Sequence, residues 1–297
     1  MSNLRDVRLR MRAIEQTLQV TKAMNLISTA KLRKGRKMLA DTVPYFSRIQ
    51  KSMFDILSSE GNIESEFFKR SDSLKSGHTG VIVITSDKGL AGGYNANIYR
   101  HVDELCAKVQ NPVLVLIGGN VGYRYFGHSP HVILENFSFH PQIPTEENAG
   151  EVAEYVVSQY LWGIFDSIYI VYTHMYSMVR LQPIEQQIIP LVKEKIQDDI
   201  FKIGGEKRVD LRFEFLPSTG AVFDVLVPQY IKGVIFGAMV EAYASEQSAR
   251  MRAMDEASKS AEDMLASLRI SYNRVRQAGI TQEIAEITGG STAMADH

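Results

Sequence analysis

The apolar residues of the first part of the chain are spaced in alternating steps of three and four from Leu4 onward. This spacing produces one heptad stripe, the seam of a coiled-coil helix. The stripe loosens near Thr21, and Pro44 should kink or break the helix before the spacing resumes. We predict a long N-terminal helix over residues 1–58, with Asn3 as its N-cap. Its apolar positions are Leu4, Val7, Met11, Ile14, Leu18, Met24, Leu26, Ile27, Phe46, Ile49, Met53 and Ile56.

The last part of the chain has the same spacing, which predicts a second long helix over residues 210–290. Pro228 can lie near its first turn, and Gly289 with Gly290 supplies a stop. Two heptad segments at opposite ends of one chain most simply pair as an antiparallel coiled coil. The second seam consists of Met251, Met254, Ser258, Ala261, Leu265, Leu268, Tyr272, Val275 and Gly279.

The middle of the chain, residues 76–205, alternates between strand-like and helix-like patterns. Such alternation predicts a mostly parallel sheet in an inserted, Rossmann-like α/β domain. Residues 155–179 are apolar enough to suggest a membrane span, but Gly163 and Asp166 interrupt them, so we interpret them as a buried helix followed by a buried strand. The predicted strands are 81–85, 113–118 and 167–173, and the predicted helices are 94–109, 121–126 and 145–162.

Composition narrows the class of protein. The chain has 297 residues, of which 45% are hydrophobic, and one cysteine, Cys106, so an intramolecular disulfide is excluded and a reducing compartment is the default. His128 and His131 have no metal-ligand pattern around them, and we expect no metal site. The first residues lack the apolar run of a secretory signal, and Asp6 and Glu15 argue against a transit peptide.

Charge is divided unevenly along the chain. Residues 1–40 contain ten Lys or Arg against two acidic residues, a net charge of +8, and the remainder has a net charge of −9. A basic helix of this kind indicates nucleic acid, anionic lipid or an acidic protein surface as a partner, or a solvated face with no partner.

A glycine-rich stretch, "VIVITSDKGLAGGYN", runs from a strand into a helix, as phosphate-binding loops do. Lys88 precedes Gly89, so the P-loop pattern fails, and Gly89, Gly92 and Gly93 do not match the dinucleotide fingerprint. "IGGNVGY" misses that fingerprint as well. We expect a structural turn, with backbone angles at Gly92 and Gly93 that side chains resist, and no catalytic residues or cofactor.

Four segments together resemble the gamma subunit of the F-type ATP synthase. They are "TKAMNLISTAKLRK", "SDKGLAGGYN", "ASEQSARMRAMDEASKSAEDM" and "NRVRQAGITQEIAEITGG". The resemblance implies a rotating central shaft, one copy per complex, inside a ring of alpha and beta subunits. It implies that ATP is made or hydrolysed on the beta subunits and that this chain has no active site. The globular part would sit, with the epsilon subunit, on the membrane ring of c subunits, at the cytoplasmic face of a bacterial cell membrane.

The resemblance also implies roles for particular residues. Cys106 alone cannot form the redox-switched cysteine pair of plastid relatives, and Leu216 stands where some bacterial members carry a carboxylate. The expected hydrogen-bonding catch on one beta subunit is Arg250, Arg276, Gln277, Thr281 and Glu283. The expected apolar bearing in the collar of the ring is Ile280, Ile284 and Ile287. The expected basic contacts to the acidic lever loops of the beta subunits are Lys31, Arg33, Lys34 and Lys88.

Two other classes of protein stay open at this point. A nucleotide-binding α/β protein with a helical dimerisation arm would bind ATP or NAD tightly at residues 86–93. A nucleic-acid binder would show steeply salt-dependent affinity for DNA. The basic residues lack interleaved aromatic residues, so no nucleic acid is expected as a partner.

Overall fold

The computed structural model describes residues 4–59, 65–68, 77–118, 120–138, 143–191, 216 and 218–295. Its helices are α1 (Leu4–Ser59), α2 (Tyr94–Cys106), α3 (Asn120–Phe126), α4 (Glu146–Leu161) and α5 (Thr219–Ala295). Its strands are β1 (Thr79–Ile84), β2 (Pro112–Ile117), β3 (Val132–Phe137), β4 (Ser167–Met175) and β5 (Leu181–Ile189).

The strands form one sheet in the order β3-β2-β1-β4-β5. The first four are parallel, and β5 runs antiparallel to β4. Every residue of β1 is buried, because helices cover both faces of the sheet, and a strand in that position is apolar throughout. The predicted mostly parallel α/β sheet is therefore confirmed, as is the interpretation of residues 155–179 as a helix followed by a strand.

The chain divides into two compact units. One consists of Met1–Ser28 and Arg250–His297, and the other of Thr29–Ala249. In the second unit, α1, α4 and α5 pack on one face of the sheet and α2 and α3 on the other. The long helices therefore belong to the core of the α/β unit as well as to the helix pair.

Helix α1 continues through Pro44, so the predicted break at that position is wrong. A proline inside a helix costs about 3 kcal/mol, because the carbonyl one turn earlier loses its donor. The heptad spacing continues across it, and Ile49, Met53 and Ile56 are buried in the core that α1 shares with α5. Gly233 of α5 has no Cβ and lies against the Phe46 ring, so the two helices approach closely there. This packing offsets the cost of the proline.

The predicted bounds of the last helix need correction. Pro228 lies well inside α5 rather than in its first turn, and α5 continues through Gly289 and Gly290 to Ala295. The predicted start at residue 210 and the predicted N-cap Asn3 fall outside the described residues. Among those residues, α5 is the one helix long and apolar enough to cross a membrane, but 50% of its most apolar window is buried inside the protein, as in a core helix.

Candidate functional site

The first unit is an antiparallel helix pair held by a mixed seam. Val7 of α1 and Ala261 and Leu265 of α5 are buried in it. Polar bonds cross the same seam: Ser258 Oγ donates to Thr21 Oγ1 at 2.8 Å, and Asn25 Nδ2 donates to the Met251 carbonyl at 3.0 Å. The predicted pairing of the two terminal helices is confirmed.

The seam of α1 differs from the prediction after Leu18. It continues through Thr21, Asn25 and Ser28 in unbroken steps of three and four, and Thr21 and Ser28 are buried. Leu26 and Ile27, expected in the seam, are 71% and 56% exposed. Thr21 and Asn25 occupy seam positions here because their side chains find hydrogen-bond partners, so hydrophobicity alone misplaces the seam.

A second apolar stripe lies on the opposite face of α1. Leu9, Val20 and Ile27 are 55%, 57% and 56% exposed, and with Ala13 and Ala23 they follow one another in steps of four, seven, three and four. Residues at this spacing share one side of a helix. The helix pair thus presents apolar surface outward as well as inward.

Among the described residues, the buried side of α5 in this pair extends to Val275. Every residue from Arg276 to Thr288 is exposed, including Gln277, Thr281 and Glu283 of the expected catch. Gly279, predicted as a seam residue, is exposed too. The Thr281 hydroxyl donates to the carbonyl of Gln277 at 2.9 Å, and both side chains face outward.

Three isoleucines follow on this exposed segment. Ile280, Ile284 and Ile287 are 48%, 59% and 73% exposed, in steps of four and three. Arg250, the fifth residue of the expected catch, lies elsewhere: it is buried, and it precedes Arg276 by about 39 Å along the helix at about 1.5 Å per residue. The structure therefore brings four of the five catch residues together and separates the fifth.

The basic residues expected to contact a partner are in the second unit. Lys31, Arg33 and Lys34 lie on α1 with exposed side chains. Lys88 is exposed in the loop between β1 and α2. None of the four is buried, so all four are accessible to an acidic surface.

Polar groups at the start of the glycine loop hydrogen-bond to the helix that follows it. Ser86 N–H donates to Asn95 Oδ1 at 3.1 Å, and Asn95 Nδ2 donates to Ser86 Oγ at 2.7 Å. Gly92 has a φ of 58°, as predicted, but Gly93 has a φ of −80°, which any residue adopts, so the prediction for Gly93 is wrong. Leu90 takes the other left-handed position, with φ of 64°. The loop is therefore a turn closed by the Ser86–Asn95 pair.

The crevice in which a Rossmann-like sheet binds ligands is filled by the chain itself. In such folds that crevice lies at the carboxyl ends of the strands, where the strand order reverses, here between β1 and β4. Residues of α5 lie across it: the Tyr94 hydroxyl donates to the Ala242 carbonyl at 3.1 Å, and Ser245 Oγ donates to the Thr173 carbonyl at 2.9 Å. The cavity left beside Thr85 measures about 60 Å³. That is room for about two water molecules, whereas ligand pockets measure about 300–1,000 Å³.

The described residues contain no group of three or more His, Cys, Asp or Glu side chains that could bind a metal ion. The His131 Nε2 lies 2.8 Å from Asp103 Oδ1, and the His128 ring contacts the Arg124 carbonyl at 2.7 Å. Both histidines thus have structural partners.

A paired-helix body with an outward apolar surface is typical of the class of proteins that act through contacts with partners. The model of the ATP synthase family matches residues 3–294. The chain is 41% identical to the ATP synthase gamma chain of Acetivibrio thermocellus over 298 residues, covering 99% of this chain and 100% of that one. It is 33% identical to the sodium ion specific ATP synthase gamma chain of Acetobacterium woodii, covering 98% of this chain and 99% of that one.

Among solved structures, the chain shares its fold with one from the mitochondrial ATP synthase of Euglena gracilis, in the OSCP/F1/c-ring assembly. The TM-score is 0.67 at 18% identity, with 98% of this chain and 94% of that chain covered. The chain belongs to the ATP synthase gamma-chain family. It is a non-catalytic subunit of the rotary ATP synthase.

Proposed function

We propose that the chain is the central rotor shaft of an F-type ATP synthase. It turns inside a ring of alpha and beta subunits and couples ion flow through the membrane ring to ATP synthesis or hydrolysis on the beta subunits. The observation that carries the proposal is the helix pair of the first unit, whose outer face and unpaired end both expose apolar side chains.

Exposed apolar stripes indicate a partner surface. Leu9, Val20 and Ile27 look outward from α1, while Ile280 and Ile284 look outward from the end of α5. A single flat partner covers one side of a helix pair. Partners that surround the shaft cover several sides, which is the arrangement that a ring provides.

The polar residues of the unpaired end support a catch below an apolar bearing. Arg276, Gln277, Thr281 and Glu283 are exposed and close in sequence, so a loop of one beta subunit can hydrogen-bond to several of them. Ile280, Ile284 and Ile287 make non-directional contacts, along which a helix slips without breaking fixed hydrogen bonds. Arg250 joins the catch only if the beta subunit reaches a second level of the shaft.

The remaining partners follow from the family. The α/β unit would contact the epsilon subunit and the ring of c subunits, with one copy of the chain per complex. The complex would be peripheral to the cytoplasmic face of a bacterial cell membrane. The basic side chains Lys31, Arg33, Lys34 and Lys88 would meet the acidic lever loops of the beta subunits, a pairing of opposite charge that steers association.

The test is affinity purification of the tagged chain from membranes of its own source, followed by identification of the co-purified subunits. Alpha, beta and c subunits in one complex with a single copy of the chain are the expected result. Recovery of a soluble chain without them overturns the proposal. ATP titration of the isolated chain is the matched control, and tight binding that maps to the glycine loop would favour a nucleotide-binding protein.

A further inference from the structure

Five polar contacts tie one stretch of α5, residues 241–248, to the carboxyl edge of the sheet. Ser245 Oγ donates to the Thr173 carbonyl at 2.9 Å, and Ser248 Oγ donates to the Met178 carbonyl at 3.2 Å. The Tyr94 hydroxyl donates to the Ala242 carbonyl at 3.1 Å. All of these atoms belong to the second unit.

Glu241 completes the set from the same helix. Its Oε1 lies 2.6 Å from His174 Nδ1 and accepts from the Met175 N–H at 3.5 Å. His174 and Met175 are the last residues of β4. A carboxylate, two hydroxyls and a carbonyl of α5 thus meet the end of β4, the following hairpin and the start of α2.

The two serines differ from several other helical hydroxyls among the described residues. Thr17, Thr281 and Thr288 each donate to the carbonyl four residues earlier in their own helix. That bond satisfies a helical hydroxyl without any neighbour. Ser245 and Ser248 are 0% exposed and donate instead to the backbone outside their helix.

Directional hydrogen bonds resist rotation of a helix more strongly than apolar packing does. The apolar core holds α5 against the sheet, but hydrophobic contact is non-directional and resists rotation of a helix about its axis only through shape. Hydrogen bonds to fixed backbone carbonyls fail when the helix turns or slides, since they weaken steeply with angle and distance. The three hydrogen bonds through backbone carbonyls therefore resist rotation of α5 against the α/β unit, and the Glu241 carboxylate adds close polar contacts at the end of β4.

We propose that Tyr94, Glu241, Ser245 and Ser248 form a torque-bearing joint, through which the α/β unit and the shaft helix turn as one body. The proposal rests on the rotor function proposed above and assigns these four side chains a mechanical role within it. The crevice that binds ligands in related sheets here holds the protein's own helix.

The experiment uses the assembled, membrane-bound complex carrying Ser245→Ala with Ser248→Ala, or Tyr94→Phe, each of which removes only hydroxyl groups. ATP hydrolysis and ATP-driven ion transport are measured together on the same vesicles. Each hydrogen bond contributes a factor of about five to the equilibrium between an engaged and a slipped helix. Uncoupled turnover, ATP hydrolysed without ion transport, should therefore rise about five-fold per bond removed, most clearly against an opposing ion gradient.

Ser260→Ala is the matched control, because Ser260 is exposed on the same helix. It should leave coupling at the wild-type value. Normal coupling in the joint variants, or a lower melting temperature with normal coupling at temperatures well below melting, would show that the bonds are only structural and would overturn the joint. If the wild-type chain is absent from the rotating complex, the rotor function itself fails. If it is present and only the variants couple normally, the joint alone fails.

Discussion

At Gly92 the backbone needs glycine, and at Gly93 it does not. Gly92 has a φ of 58°, where a β-branched residue is strained, whereas Gly93 has a φ of −80°. A Cβ on Gly93 would meet only Asn97 Nδ2, at 3.7 Å, an ordinary contact. Gly92→Val should lower the free energy of unfolding by about 1–3 kcal/mol, and Gly93→Ala should change it by less than about 1 kcal/mol. Urea denaturation of both variants measures the difference, and equal losses would contradict the turn geometry.

Cys106 illustrates how burial sets reactivity. Burial, with the Asp103 carboxylate nearby, raises the pKa of the Cys106 thiol to about 11. The thiolate is the reactive form, so at pH 8 only about one thiol in a thousand is ionised. We expect negligible alkylation of the folded chain by iodoacetamide at pH 8 and full alkylation after unfolding in urea, followed by mass spectrometry. Rapid modification of the folded chain at pH 8 would show that the thiol is accessible and ionised.

At the scale of elements, the spacing of apolar residues predicts the long helices, in which the spacing repeats, and misses elements without a repeat. The heptad steps predict the helix pair, because a long repeat is visible through single exceptions such as Pro44. They misplace Leu26 and Ile27 in the seam. The true seam positions are polar, and the hydrogen bonds that stabilise polar residues there are visible only in the three-dimensional structure. The sequence analysis does not predict the strands β3 and β5, since both are sheet edges with exposed and polar positions that interrupt the apolar run. The joint on α5 is likewise invisible, because buried and exposed serines look alike in a sequence.

The polar pair in the seam gives a prediction at this scale. Ser258→Ala removes the donor to Thr21 and should lower the free energy of unfolding by about 1 kcal/mol. Replacing both partners, Thr21→Val with Ser258→Ala, removes the need for a bond and should restore most of that loss. Ser267→Ala, at an exposed position of α5, is the control. A double variant as unstable as the sum of both single changes would show that the two hydroxyls do not interact.

The exposed end of α5 gives a further prediction at the scale of elements. Gln277→Ala with Thr281→Ala removes side-chain hydrogen bonds that the ring would make and leaves the isoleucines in place. Steady-state ATPase of the assembled complex should fall by about five-fold or more, while the amount of complex stays unchanged. Asn273→Ala, at an exposed position before the end of the pairing, is the control. Truncation after Gly279 should leave rotation with lower torque, and wild-type turnover and torque in both variants would place the catch elsewhere on the shaft.

For the whole molecule, the division of charge matters more than its total. The net charge of the chain is −1, but residues 1–40 carry +8. The charge of Lys31, Arg33 and Lys34 is exposed, and exposed charges contribute little to the stability of a fold. They act over about 8 Å at physiological ionic strength, which is the range of contact with a partner rather than of the whole complex. The basic segment is therefore expected to act in assembly and not in folding.

Replacing Lys31, Arg33 and Lys34 by Gln should accordingly weaken torque at low salt and leave the melting temperature of the isolated chain unchanged. The deficit relative to the wild type should shrink as salt is raised, because salt screens the same attraction in the wild-type complex. The control replaces Arg48, Lys51 and Lys108 by Gln, which removes the same charge from exposed positions outside the basic segment. Torque is measured by single-molecule rotation of the complex at two salt concentrations. Wild-type torque at low salt in the first variant, or an equal deficit in the control, would show that the charge of this segment does not act on the ring.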